Sequence, residues 1–200
     1  MRYPAVETAA KHERILREAS RLFRERGFDG VGVAEIMKAA DLTHGAFYAH
    51  FPSKEALIAE AGAAAIADTT RHLTVAVQTE DPRQTFIERY LSEEHRDSPG
   101  YGCALAAFGG EMSRQTESVR SAFTDQFERM VDTLAAGLDW PAGEDARRAT
   151  LHLMGTLVGA MVLSRAVNDD RLARDILAAA RGASGKPGAV KKKRPARGAK

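Results

Sequence analysis

The chain has a single cysteine, Cys103, among its 200 residues. No internal disulfide framework can form, and a reducing, cytoplasmic setting is the expectation. Long apolar runs are missing too: none approaches the roughly 18 residues a membrane span requires. The opening stretch MRYPAVETAAKHERI lacks the continuous apolar segment of a secretory signal. Strand-like alternation and internal repeats are absent. So are the short motifs of common enzyme classes: there is no HExxH, CxxC, phosphate loop or paired Cys/His ligand spacing. Lysine is absent from residues 55–181, a stretch that carries 13 arginines and 20 acids.

The charge that is present is unevenly placed. The overall net charge is +2, but residues 1–54 carry +2, residues 55–181 carry −7 and residues 182–200 carry +7. A basic head, an acidic body and a basic tail orient the molecule head-first toward a polyanion. A hydrophobic content of 44% supplies cores for one or two small domains.

The periodicity is helical throughout. Ile15, Leu16, Ala19, Leu22 and Phe23 follow i, i+3/i+4, i+7/i+8 spacing, which predicts an amphipathic helix over 8–26 closed by Gly27. Residues 33–40 read as a two-turn helix, Asp41-Leu42-Thr43 as a turn and residues 43–48 as a second short helix stopped by Pro52. Ser53 caps a long helix from Lys54 to about Val77. Beyond Asp81-Pro82, further helices are expected over 82–97, 102–113, 116–137, 144–167 and 169–181. The tail from Gly182 has nothing to bury and is expected to be disordered. The fold class is all-α: three compact helices, then a bundle.

The short pair at 33–48 has the pattern of a helix-turn-helix. Ile36, Ala39, Leu42 and Phe47 have the spacing of its internal seam, and Leu22 and Phe23 form the floor. The second helix then presents His44, Ala46 and Ala49 toward base edges. Thr43, Tyr48, His50 and Lys54 are donors for phosphates, and Gly45 lets a backbone approach closely. Short helix pairs also occur inside cores, with Tyr48 or Phe51 as apolar filler, and spacing alone leaves both readings open.

Residues 11–58 closely resemble the DNA-binding domain of TetR/AcrR-type transcriptional regulators. The matching elements are Ile15-Leu16, Ala19, Leu22-Phe23, Gly27-Phe28, Val33-Ala34-Glu35-Ile36, Ala39 through Tyr48, and His50 through Leu57. Gly32 stands where the family usually has a Thr or Ser cap, and His44 where it more often has Lys. The resemblance implies a homodimer of about nine helices per subunit that binds a palindromic operator in double-stranded DNA. It divides the chain into a reading head at 8–53, a ligand-binding and dimerisation domain at 54–181 and a basic tail at 182–200. Thr43, Tyr48, His50 and Lys54 fall at phosphate-contacting positions, and His44, Gly45 and Ala46 at the groove-facing surface. The expected mode is repression relieved by a small effector, through a swing of the long helix from Lys54. No cofactor, metal, catalytic group or membrane partner is expected.

Two sites in the body follow. The apolar run Leu151–Leu163, with Gly155 and Gly159 four apart, suits either a core helix or a dimer face. The resemblance favours the dimer face, with Leu151, Met154, Leu157, Val158 and Met161 joined by Leu172, Ile176 and Leu177. An effector pocket is expected among Phe86, Tyr90, Tyr101, Cys103, Phe108, Met112, Phe123, Phe127 and Met130, with Met154 as a further candidate. Aromatic and Met-rich linings suit a largely apolar ligand, although such residues at helical spacing also describe ordinary core. Cys103, near a helix N-terminus, is either a small buried hydrophobe or a thiol that senses electrophiles or oxidants.

Other classes remain in view. Cys103 with His95 or His152 would be a thiol enzyme, and Glu93-Glu94 or Asp169-Asp170 a metal site, but adjacent helix carboxylates point apart. A helical protein that coats DNA without sequence choice through KKKRPARGAK is the third class.

Overall fold

The structure is a computed structural model that describes residues 5–76 and 78–184. The first helix, α1 (Ala5–Arg26), buries Ile15, Ala19, Leu22 and Phe23 along one stripe. It ends where Gly27 turns left-handed at φ +75°, its amide bonded to the Phe23 carbonyl at 2.8 Å. A Cβ at Gly27 would also lie 2.5 Å from a Glu111 carboxylate oxygen, so both conformation and packing select glycine. Helix α2 (Val33–Ala39) buries Ile36 and Met37. Asp41, at φ 55°, makes the left-handed corner that follows.

The next element is tighter than expected: His44–Ala49 is a 3-10 helix rather than an α-helix, with Phe47 buried beneath it. Helix α3 (Lys54–Ala76) starts where the Ser53 hydroxyl accepts from the Ala56 amide at 3.1 Å. Its expected end at Val77 and the tail beyond residue 184 lie outside the described residues.

The helix expected over 82–97 is two helices. Asp81 caps α4 (Pro82–Tyr90) by accepting from the Gln84 amide at 3.2 Å. Buried Leu91 then breaks the run, and Ser92 caps α5 (Glu93–Asp97) by accepting from the His95 amide at 3.1 Å. A serine inside an amphipathic run acts here as a start signal. A short 3-10 turn, Pro99–Tyr101, leads to α6 (Ala104–Met112), α7 (Glu117–Gly137), α8 (Ala146–Ala166) and α9 (Asp170–Ser184). The last helix runs three residues past its expected end at Arg181.

Helix α7 lies along α3, α9 along α8, and α7 against α8, while α1 rests on α3 and α6. A continuous core joins the N-terminal three-helix unit to the body, and the Phe28 and Phe108 rings meet across that junction at 5.0 Å. By length and composition α8 is apolar enough to cross a membrane, although the sequence shows no uninterrupted run of that length. It buries Leu153, Met154, Leu157 and Met161 within the chain and leaves Leu151, Val162 and Leu163 exposed, with Leu172 of α9.

Candidate nucleic-acid interface and interior cavity

The 3-10 turn separates two adjacent aromatics by function. Phe47 is 1% exposed and stacks on Phe51 at 5.7 Å, whereas Tyr48 is 69% exposed. The Tyr48 ring meets the edge of Phe47 at 5.2 Å and the His44 ring at 6.4 Å. Thr43, His44, Gly45 and Ala49 are exposed as well, and Ala46 and His50 are half-buried. A Cβ placed on Gly45 would meet nothing within 4 Å. Thr43 sits at the turn's N-terminus, and its hydroxyl makes no capping bond. The turn therefore offers a protruding surface of small and hydrogen-bonding groups on an apolar floor.

Two of the expected phosphate donors have structural partners. Lys54 donates from Nζ to the Phe28 carbonyl at 2.6 Å, which ties the start of α3 to the α1–α2 corner. Two of its three donors remain for a phosphate. His50 lies beside His12, with ring centroids 5.8 Å apart. Burial, then the nearby His12 and Lys11, lower its pKa below the ordinary 6.5. His12 in turn stacks on Phe51 at 4.6 Å and bonds Glu60 at 2.6 Å.

A partly open cavity of about 780 Å³ lies under α1. One wall is Arg17, Glu18, Arg21 and Arg24 of α1; the others come from Asp68 and Thr69 of α3, Phe86, Arg89 and Tyr90 of α4, and the segment holding His95, Tyr101, Gly102 and Cys103. Of the residues expected at an effector pocket, Phe86, Tyr90, Tyr101 and Cys103 lie at this cavity. Phe108, Met112, Phe123, Phe127 and Met130 do not line it: Phe108 fills the junction against Phe28, Met112 approaches Gly62, and Met130 is wholly buried. Phe123 and Phe127 stack on each other at 6.5 Å, half-buried on α7.

The arginine wall was missed because charges on an amphipathic helix read as its solvated face. The signal was nonetheless present: Arg17, Arg21 and Arg24 recur at i, i+4 and i+7, on one stripe.

The segment around His95 is closely wired. His95 donates from Nδ1 to the Tyr90 carbonyl at 2.6 Å and accepts at Nε2 from the Cys103 amide at 2.9 Å. This fixes a neutral tautomer. Burial is the main cause that lowers its pKa; Arg165 adds to it, and the bond to the Tyr90 carbonyl opposes it. Arg165 holds the same segment by donating to the His95 carbonyl at 2.6 Å and the Arg96 carbonyl at 3.0 Å.

Cys103 is 3% exposed, and the chain has no second thiol to resolve an oxidised one, so thiol sensing is not favoured. His95 uses its ring on main-chain groups and His152 is exposed on α8. Among the described residues no group of three or more His, Cys, Asp or Glu is placed to hold a metal.

Of the residues expected at a dimer face, Met154, Leu157, Met161 and Leu177 belong to the chain's own core, each at most 2% exposed. They lie on the inner stripe of α8 and α9, which a uniformly apolar run does not distinguish from the outer one. Leu151 and Leu172 are exposed, and Val158 and Ile176 half-buried. Val162 and Leu163 share the outer surface and were not anticipated.

Residues 15–61 match the family model described as bacterial regulatory proteins, tetR family. The chain is 30% identical over 122 residues to the HTH-type transcriptional repressor DhaR of Mycobacterium sp. strain GP1, covering 60% of this chain and 61% of that protein. It is 26% identical over 132 residues to the repressor NemR of Escherichia coli K12, covering 64% and 66%. These matches span less than two thirds of either relative. Among solved structures, reduced E. coli NemR superposes with a TM-score of 0.69 at 22% identity, over 86% of this chain and 95% of that one. A TetR-family regulator from Agrobacterium tumefaciens superposes at 0.68 and 23% identity, over 90% and 95%. At these identities the superpositions establish the fold.

Proposed function

Because the chain belongs to the TetR/AcrR family of regulators, we propose that it is a DNA-binding transcriptional repressor released from its operator by a small effector. The observation that carries this reading is the exposed 3-10 turn, with Gly45 open, Tyr48 projecting and Phe47 anchoring it from below. Thr43, Tyr48, His50 and Lys54 act on phosphates, and His44, Gly45 and Ala46 face the groove. The protein works in the cytoplasm as a homodimer, because one short turn reads too few bases. Its dimer face is the outer surface of α8 and α9. Leu151, Val162, Leu163 and Leu172 are exposed there, and Gly155 and Gly159 leave open space for a partner helix. The relatives are named as regulators and none of the groups above forms a catalytic set, so no enzymatic role is assigned.

The effector occupies the cavity under α1. Three bonds tie that region to the reading head. Arg24 donates from Nη1 to the Gly102 carbonyl at 3.3 Å, the Phe28 amide donates to Glu111 at 2.8 Å, and Lys54 donates to the Phe28 carbonyl. The α1–α2 corner is thus held between the end of α6 and the start of α3, and a ligand beside Gly102 acts at the other end of α6. Such a ligand shifts the head only by binding one arrangement better than the other.

Selection of duplexes from a random pool by the purified chain tests the reading. Recovery of one two-fold-symmetric site, bound by a dimer in sedimentation and weakened by Tyr48→Phe, is expected. Recovery of unrelated sequences at equal affinity refutes it in favour of DNA coating.

A further inference from the structure

The cavity under α1 combines an apolar aromatic wall with an excess of cationic groups. Arg21 is already neutralised, donating to Glu18 at 3.0 Å and to Glu25 at 3.0 Å. Arg17 stands 4.0 Å from Glu18. Arg24 differs. Among the described residues no carboxylate lies within ion-pair distance of it, Asp68 of the cavity wall acting only at longer range, and it donates to the Gly102 carbonyl at a long 3.3 Å. Its Nε is buried without a partner.

At the same cavity, the Tyr90 hydroxyl is likewise buried without a hydrogen bond of ordinary geometry, on a residue only 3% exposed. The Cys103 thiol is a polar neighbour of that hydroxyl, and a weak partner. Leaving a buried donor unsatisfied is costly, and leaving an unpaired cation half-buried more so. Two weakly partnered donors at one cavity, one charged and one neutral, describe a receptor for an acceptor that carries negative charge.

We propose that this cavity binds an organic anion, a carboxylate on an apolar or aromatic body, with the carboxylate between the Arg24 guanidinium and the Tyr90 hydroxyl. The inference rests on the reading of the cavity as the effector site and names the effector's class. Phe86 and the rings of Tyr90 and Tyr101 receive the apolar body, in a volume that suits a drug-sized molecule. Burial keeps the Tyr90 hydroxyl protonated, so it donates.

The carboxylate is also a better acceptor than the Gly102 carbonyl that Arg24 now holds at the outer limit of hydrogen-bond length. Binding therefore draws Arg24 away from Gly102 and releases a tie between α1, the floor of the reading head, and the start of α6. This supplies the difference in affinity between two arrangements that release of DNA requires.

Calorimetry with 4-phenylbutyrate and 2-naphthoate, each against its uncharged primary amide, tests the assignment in wild type, Arg24→Gln and Tyr90→Phe. Thermal unfolding of each variant verifies the fold, and a selected duplex reports release. At least one acid should bind about tenfold or more tightly than its amide, with that preference erased by Arg24→Gln and cut about fivefold by Tyr90→Phe, whose packing is unchanged. Equal binding of acid and amide, both releasing the duplex, overturns the charge assignment while leaving the cavity as the effector site. An acid preference that survives in both variants, or the binding of neither acid, overturns it as well. An acid preference lost in the variants but without effect on the duplex upholds the anion site and refutes its effector role.

Discussion

Replacing Gly45 separates the stability of the head from its use. Gly45 has no left-handed φ, and a Cβ there meets nothing within 4 Å. Gly45→Ala should therefore stabilise the chain by about 0.4–1 kcal/mol, chiefly by restricting the unfolded state. Gly45→Leu, pointing into open space, should stay within about 0.5 kcal/mol of wild type. On the proposed reading, the same added atoms occupy the place of the duplex. If they displace one hydrogen bond per half-site, each worth about 1 kcal/mol, the dimer loses about 2 kcal/mol, or some thirtyfold in affinity. Urea unfolding and fluorescence anisotropy on a selected duplex read the two quantities separately. A Gly45→Leu chain that binds the duplex as wild type does would refute the placement of the turn. One that unfolds several kcal/mol more easily would refute the open space.

Asp41 holds the corner of the helix-turn-helix at φ 55°; β-branched Asp41→Val should cost about 1–3 kcal/mol in urea unfolding, whereas Asp41→Gly should be at least as stable as wild type. His95 binds protons less readily folded than at its ordinary 6.5. The unfolded chain therefore takes up more protons below that value, and stability present above pH 6.5 falls as pH drops through the lowered folded pKa. Tm measured from pH 7.5 to 5 should show this loss, and His95→Gln should flatten the dependence on pH; equal slopes for the two chains would exclude the wiring to Tyr90 and Cys103 as its source. A chain ending at Ser184 loses seven positive charges; it should select the same site but show a shallower dependence of log K on log salt, by about 0.9 for each phosphate contact removed. An unchanged slope would mean the tail stays off the DNA.

The head was legible because its signals are local. Gly27, the Asp41 turn, Ser53 and the spacing of Ile36, Leu42 and Phe47 each act within one or two turns, and a seam so short leaves little choice of partner. The body was legible as helices but not as surfaces. A run such as Leu151–Leu163 is apolar all round, so nothing in it says that Met154, Leu157 and Met161 point inward while Leu151 and Leu163 point out. The break at Leu91-Ser92 needed the tertiary fold too, because the amphipathic pattern continues across it and only the Ser92 cap betrays the new helix. Apolar and aromatic spacing points to Phe86 and Tyr90 but not to a charged wall. That Arg24 of α1 and Tyr90 of α4 share one cavity depends on the tertiary fold, which spacing within either helix cannot specify.

Hydroxyl-radical cleavage of a selected duplex bound by the wild-type chain shows whether the turn at 44–49 meets DNA twice per dimer. Two sets of protected backbone positions flanking successive major grooves on one face of the helix are expected, related by a dyad and both weakened by Tyr48→Phe. Continuous protection along the duplex, or two patches indifferent to Tyr48, would contradict that placement of the turn.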